Sequence, residues 1–209
     1  MARPRAAFGA VLAAAVALAA APRPTCASES AVAAQAAASA ALPAALPPEI
    51  AELLEPPLQL GQGTLRWFGL RVYDARFVAP ADFDAGQPWR TPFALELVYA
   101  RPLKGADIAR RSAEAMRTLD ATDEATMQRW AAAMAAIFPD VSTGDRLLGA
   151  YLPGRGARFF QGGRPIGSID EPAFARAFFS LWLDPRTPEP ALRESLLRQS
   201  YGRGVTTTR

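Results

Sequence analysis

"DRLLGAYLPGRGARFFQGGRPIGSI", residues 145–169, contains three short extended segments separated by glycine-rich turns. Residues 145–154 and 156–163 are apolar runs joined by a tight turn at Pro153-Gly154-Arg155-Gly156, and 164–169 resumes after Gly162-Gly163. Connections this short join antiparallel strands; parallel strands need a long crossover. The next segment, "DEPAFARAFFSLWL" (170–183), has an acidic start and is apolar almost all round, which predicts a buried helix. After the "DPRT" break, "PEPALRESLLRQ" (188–199) predicts a final amphipathic helix.

Upstream of that block the periods change again. "PEIAELLEPP" (48–57) predicts a short helix stopped by Pro56-Pro57. Residues 58–78 read as extended chain, with a turn or bulge at Gly61-Gln62-Gly63 and a bulge near Gly69, where the period shifts. "TPFALELVYA" (91–100) alternates Phe93, Leu95, Leu97 and Tyr99 against Ala94, Glu96 and Val98, a half-buried strand. Residues 106–118 and 123–137 carry apolar side chains at helical spacing, the second with Thr122 as its expected N-cap. Strands and helices are segregated, not alternating. That pattern predicts an α+β domain whose antiparallel sheet is covered on one face by helices.

Composition removes several chemistries. The chain has no histidine, so Ser-His-Asp and Cys-His nucleophile systems and imidazole acid–base catalysis are absent. Lys104 is the only lysine. The formal charge of +3 comes from Arg3, Arg5 and Arg23; without residues 1–27 there are 20 basic and 20 acidic residues. This balance gives no support for nucleic-acid binding, which needs a clustered basic face. There is no P-loop, no GxGxxG after a strand and no internal repeat, and no cofactor or metal is expected.

"MARPR" followed by the apolar run 6–21 and by small residues up to Thr25-Cys26-Ala27 has the three-part pattern of a secretory signal peptide. The expected organisation is a signal peptide at 1–27, an Ala/Ser/Pro-rich linker at 28–48, a domain at 49–200 and a polar tail at 201–209. The mature protein would then be periplasmic or secreted, with no stable membrane span and no thiol.

The stretch "GQGTLRWFGLRVYDARF" (61–77) packs aromatics and charges unusually densely. With one inserted residue near Gly69, Arg66 and Tyr73 would share a face and form an anion site on the floor of an apolar cleft. The competing reading pairs Arg66 and Arg71 with Glu96 or Asp74 on a solvent face. Asp140 and Asp145 are expected to make turns and caps, and Ser180 to bond back to its own helix.

Four segments together resemble the bacterial chalcone isomerase-like family: "GQGTLRWFGLRVYDARF", "ALELVYARPLKGADIARRS", "FPDVSTGDRLLGAYLPGRGARFFQGGRPIGSI" and "FARAFFSLWLDPRT". The resemblance spans about residues 58–198. It implies an open-faced β-sandwich with a ligand cleft between sheet and helices. The superfamily includes plant enzymes that cyclise chalcones and non-catalytic relatives that hold a fatty-acid carboxylate with an Arg and a hydroxyl. Carried over by motif, the enzymes' catalytic threonine falls on Phe68, a site tyrosine on Ile108, an asparagine near Ala115, and a late hydroxyl residue on Ser180 or Leu181. Three expected polar positions are thus apolar, and one lost donor typically lowers the rate by about 10²–10³-fold. The resemblance therefore implies a binding protein for a small hydrophobic or lipid-like ligand, a carboxylate included, with Arg66, Phe68, Tyr73, Tyr99, Ile108 and Ser180 as its ligand-contacting residues. The alternatives are an isomerase of chalcone-like or other unsaturated carbonyl compounds, with Tyr73, Tyr99 or Arg66 as catalytic groups, and an interaction protein with a filled core.

Overall fold

The computed structural model describes residues 46–198. The expected signal peptide, nearly all of the expected linker and the expected tail lie outside the described residues. Within them, the chain runs α1 (Pro48–Leu53), β1 (Leu58–Trp67), β2 (Leu70–Ala79), β3 (Phe93–Tyr99), α2 (Gly105–Leu119), α3 (Glu124–Ile137), β4 (Arg146–Leu152), β5 (Gly156–Gln161), β6 (Arg164–Ile169), α4 (Pro172–Leu183) and α5 (Pro190–Leu196). The six strands form one antiparallel sheet in sequence order. This is the α+β arrangement that the segregated periods predict, with the open-faced sheet that the resemblance implies.

The expected bulge near Gly69 is a hairpin. Phe68 (φ 46°) and Gly69 (φ 77°) both adopt left-handed backbone between β1 and β2. Two consecutive residues of this kind make the two-residue turn whose twist matches an antiparallel pair. The period shift around Phe68-Gly69 marks the reversal of the chain. True register shifts occur between Gln59 and Gly61 and between Leu65 and Arg66. The Gly61-Gln62-Gly63 segment is strand and not turn, and the expected bulge falls at its start, where the register shifts between Gln59 and Gly61. A Cβ on Gly61 would lie 2.2 Å from the Ser195 carbonyl oxygen, so glycine there lets α5 lie directly on β1.

One sheet face meets α2–α5 over an aromatic core. Phe77, Phe83, Phe93, Tyr151, Phe159, Phe174, Phe178 and Phe179 are all buried in it. Each such ring contributes about 1.5–3 kcal/mol by leaving water. The loop between β2 and β3 closes one end, with Phe83 against Phe77 (5.1 Å) and Tyr151 Oη donating to the Trp89 carbonyl (3.2 Å). Residue alternation puts Val78, Ala94, Leu148, Ala150 and Phe160 on the opposite face, where Ile50 and Leu54 at α1 cover them. On that face Glu96 is buried and bridges two arginines, Arg76 (3.0 Å) and Arg146 (2.9 and 3.1 Å).

Local capping differs from expectation at one helix. Asp123, not Thr122, caps α3, accepting from the Thr126 amide at 3.0 Å. Thr122 bonds instead to Asp120. Asp140 and Asp145 have the turn and cap roles expected. Asp145 accepts from the Ser142 amide (2.7 Å), and Asp140 accepts from the amide of Gly105, the first residue of α2 (2.9 Å). Gly105 packs so closely that a Cβ would lie 2.0 Å from the Phe138 carbonyl oxygen.

Candidate functional site

The end of the sheet–helix layer away from the β2–β3 loop is lined differently. Tyr73 and Tyr99 are paired in register across β2 and β3, with their rings edge to face at 6.0 Å. Alternation turns both toward the helices. Ile108, in the second turn of α2, packs on this pair, together with Leu97, Leu103, Val141, Leu147 and Ile166. Near the C-terminus of α4, Trp182 Nε1 donates to Tyr73 Oη at 3.0 Å. Tyr73, Leu97, Ile108 and Ile166 are only partly buried, so this cluster borders solvent, unlike the aromatic core beside it.

Burial pushes the pKa of both phenols above the ordinary tyrosine value. For Tyr73 the negative charge of Glu189 adds to this, against the stabilising Trp182 bond. A phenol is already neutral near pH 7, and the upward shift reinforces that state. Tyr73 Oη accepts from Trp182 and retains its own proton to donate. Glu189 is itself raised above the usual carboxylate range by burial. Arg111 lies three residues after Ile108 on α2, and its guanidinium sits 5.9 Å from the centre of the Trp67 ring.

Three of the six residues singled out from sequence come together here: Tyr73, Tyr99 and Ile108. The other three do not. Along β1, Gly61, Gly63, Leu65 and Trp67 are partly buried while Gln62, Thr64 and Arg66 are exposed. Leu65 packs on the helix side, so Arg66 faces away from Tyr73, and its Nη1 donates to the Gly69 carbonyl at 3.3 Å. The inserted residue that would have put Arg66 and Tyr73 on one face is absent at Gly69. The compensating irregularity falls in β2, between Tyr73 and Arg71. Phe68 is 77% exposed at the hairpin tip. Ser180 Oγ donates to the Arg176 carbonyl of its own helix at 2.7 Å. The solvent-face reading is met in part: Arg71 bridges Asp74 on its own strand, and Glu96 pairs with Arg76 and Arg146.

Sequence reasoning assigned Trp182 to the core and passed over Glu189 and Arg111. Only the last had a local signal, since Arg111 shares a helical face with Ile108 at i+3. Chemically, the cluster offers neutral hydroxyl donors beside apolar walls. Such a set suits an oxygen acceptor on an otherwise apolar molecule. Among the described residues no three Asp, Glu, His or Cys side chains stand close enough to hold a metal ion.

Residues 55–198 match the model of a family described as chalcone isomerase-like. Among solved structures, a fatty-acid binding protein of Arabidopsis thaliana matches with a TM-score of 0.53 and 13% identity, covering 69% of this chain and 88% of that one. No curated protein sequence matches the chain. The family match takes in all six strands and α2–α5, and with it the chain belongs to the chalcone isomerase-like family.

Proposed function

We propose that the protein is an exported, non-catalytic carrier of a small hydrophobic acid, held with its apolar part between sheet and helices and its head group at Tyr73. The observation that carries this is the Tyr73–Tyr99 pair: two phenols meeting edge to face, one braced by Trp182, at the solvent-bordering end of an apolar layer. A neutral phenol donates a hydrogen bond to a carboxylate or carbonyl oxygen but does not serve as a base. Arg111, on the helix face that also carries Ile108, supplies positive charge on the same wall. That the Arabidopsis neighbour is a fatty-acid binding protein supports a ligand of this class, and the N-terminal segment supports export to the periplasm or medium.

The decisive experiment is mass spectrometry of an organic-solvent extract of the purified protein, with Tyr73→Phe and Arg111→Gln compared under conditions where circular dichroism shows all three folded. A stoichiometric acid present in the wild type and depleted in the variants is the expected result. An empty wild type that nonetheless cyclises a chalcone would replace this reading with the isomerase one. An empty wild type without cyclisation would leave the interaction protein with a filled core.

A further inference from the structure

The turn that reverses β1 into β2 is chemically out of place. Two-residue turns with left-handed backbone at both positions favour Asn-Gly or Gly-Gly. Here the first position is Phe68, at φ 46°, with its side chain 77% exposed. Bulky residues are rare in this backbone region, and among the described residues the only ring contact of Phe68 is with its chain neighbour Trp67. Leu70, on the far side of the turn, is 56% exposed. Trp67 packs on the Phe68 ring at 4.8 Å. Three large apolar side chains are thus gathered at the end of one hairpin.

Two arginines flank them. Arg66 curls over the turn onto the Gly69 carbonyl. Arg71 bridges Asp74, yet its side chain remains 48% exposed. Residues 66–71 hold two positive charges and no negative one. An apolar aromatic tip ringed by arginine is the composition that partitions into the boundary between headgroups and acyl chains. Leu65, paired with Tyr73 at the base of the hairpin, lies beside the candidate site. Phe68 is three residues beyond Leu65, about 10 Å along a strand. That matches the depth of about 5–10 Å to which interfacial elements sink. Among the described residues no helix is long and apolar enough to cross a membrane, so the association would be peripheral.

We propose that the β1–β2 hairpin tip is a membrane-docking element that seats the Tyr73–Tyr99 end of the sheet–helix layer on an anionic lipid surface. The proposal extends the carrier reading, since it places ligand exchange at a bilayer, but its test is separate.

The purified full chain is sedimented with vesicles of phosphatidylglycerol and phosphatidylcholine, and with vesicles of phosphatidylcholine alone, at low and high salt. The expected result is binding to the anionic vesicles that salt weakens. Phe68→Asn should lower vesicle affinity on the order of tenfold, because it removes the inserted ring while suiting the left-handed turn position. Arg66→Gln and Arg71→Gln should each lower it about fivefold, on anionic vesicles only. Wild type that ignores anionic vesicles, or Phe68→Asn that binds them equally well, overturns the proposal. So does a Phe68→Asn change in oligomeric state without a change in vesicle affinity, which would make the tip a contact with a second copy or another protein. Extraction of Phe68→Asn separates the two readings. Retained ligand with lost vesicle binding upholds both, whereas vesicle binding by a wild type that holds no ligand sinks the carrier and leaves the docking element standing.

Discussion

Replacing Glu96 by leucine tests the charge arrangement on the sheet face that α1 partly covers. Its carboxylate, 8% exposed, is shared by Arg146, which binds it through Nε and Nη2, and by Arg76, which binds it through Nη2. The arginines are 13% and 31% exposed. At an effective dielectric of about 20, two unit charges about 4 Å apart attract by about 4 kcal/mol. Two such attractions offset the desolvation of the carboxylate. Leucine removes both and leaves two partly buried guanidiniums without their common counter-charge. Breaking a buried pair this way costs about 3–5 kcal/mol. The partial exposure of Arg146 argues for the lower end, about 3 kcal/mol. For a domain of this size that corresponds to a fall in Tm of about 10 °C. Glu96→Gln, which keeps an acceptor oxygen, should lose about half as much. The triple variant Arg76→Met/Glu96→Leu/Arg146→Met should recover most of the loss, since apolar replacement of a whole buried triad is often neutral. Urea unfolding followed by tryptophan fluorescence gives the free energies. A Glu96→Leu variant within 1 kcal/mol of wild type, or a triple variant no more stable than the single one, would refute the reasoning.

Further outcomes follow from the same geometry. Gly61→Ala and Gly105→Ala each place a methyl within 2.2 Å of a backbone carbonyl oxygen, so both should lower Tm sharply, and Gly61→Ala should expose the end of β1 to hydrogen exchange as α5 detaches. Glu171 accepts from Arg129 (3.0 Å) and Trp130 (2.9 Å), and the Arg129 bond, then the Trp130 bond, hold its pKa below the ordinary 4.5. Its contribution is therefore complete above the ordinary glutamate range and lost as pH falls through the depressed value. Because the side chain is 41% exposed, Glu171→Gln should cost no more than about 1 kcal/mol at neutral pH, and calorimetry should show that gap closing below about pH 4. In the proposed carrier, the charge of Glu189 works against an anionic head group at Tyr73, so Glu189→Gln should tighten binding of an alkyl sulfonate by about three- to tenfold in a fluorescence titration. Wild-type affinity should rise toward the variant's as pH falls through the raised Glu189 pKa, since protonation removes the repelling charge while the sulfonate keeps its own.

Most of the architecture follows from local pattern. Alternation in 91–100, the glycine-punctuated runs of 145–169 and the helical spacing in 106–137 each report burial against a single neighbouring layer, and such periods survive in one dimension. They determine an antiparallel sheet with helices gathered on one face, and Asp145 reads correctly as a turn residue because turn chemistry is local, whereas Asp140 caps α2 across 35 residues of chain. The reversal at Phe68-Gly69 was legible only as a disturbed period, because phenylalanine is not a residue that announces a two-residue turn. Which face each residue of 61–77 presents depended on two register shifts, one ending at Gly61 and one between Leu65 and Arg66, neither of them at Gly69. One residue of slip turns a strand over, so Arg66 and Tyr73 part company while Tyr73 and Tyr99 meet. The candidate site therefore belongs to tertiary structure. Tyr73, Tyr99, Ile108 and Trp182 come from β2, β3, α2 and α4, and Trp182 reaches Tyr73 across 109 residues of chain. No period or motif encodes that meeting; it exists because the helices fold back over the sheet, and burial by that same layer is what raises the pKa of the two phenols.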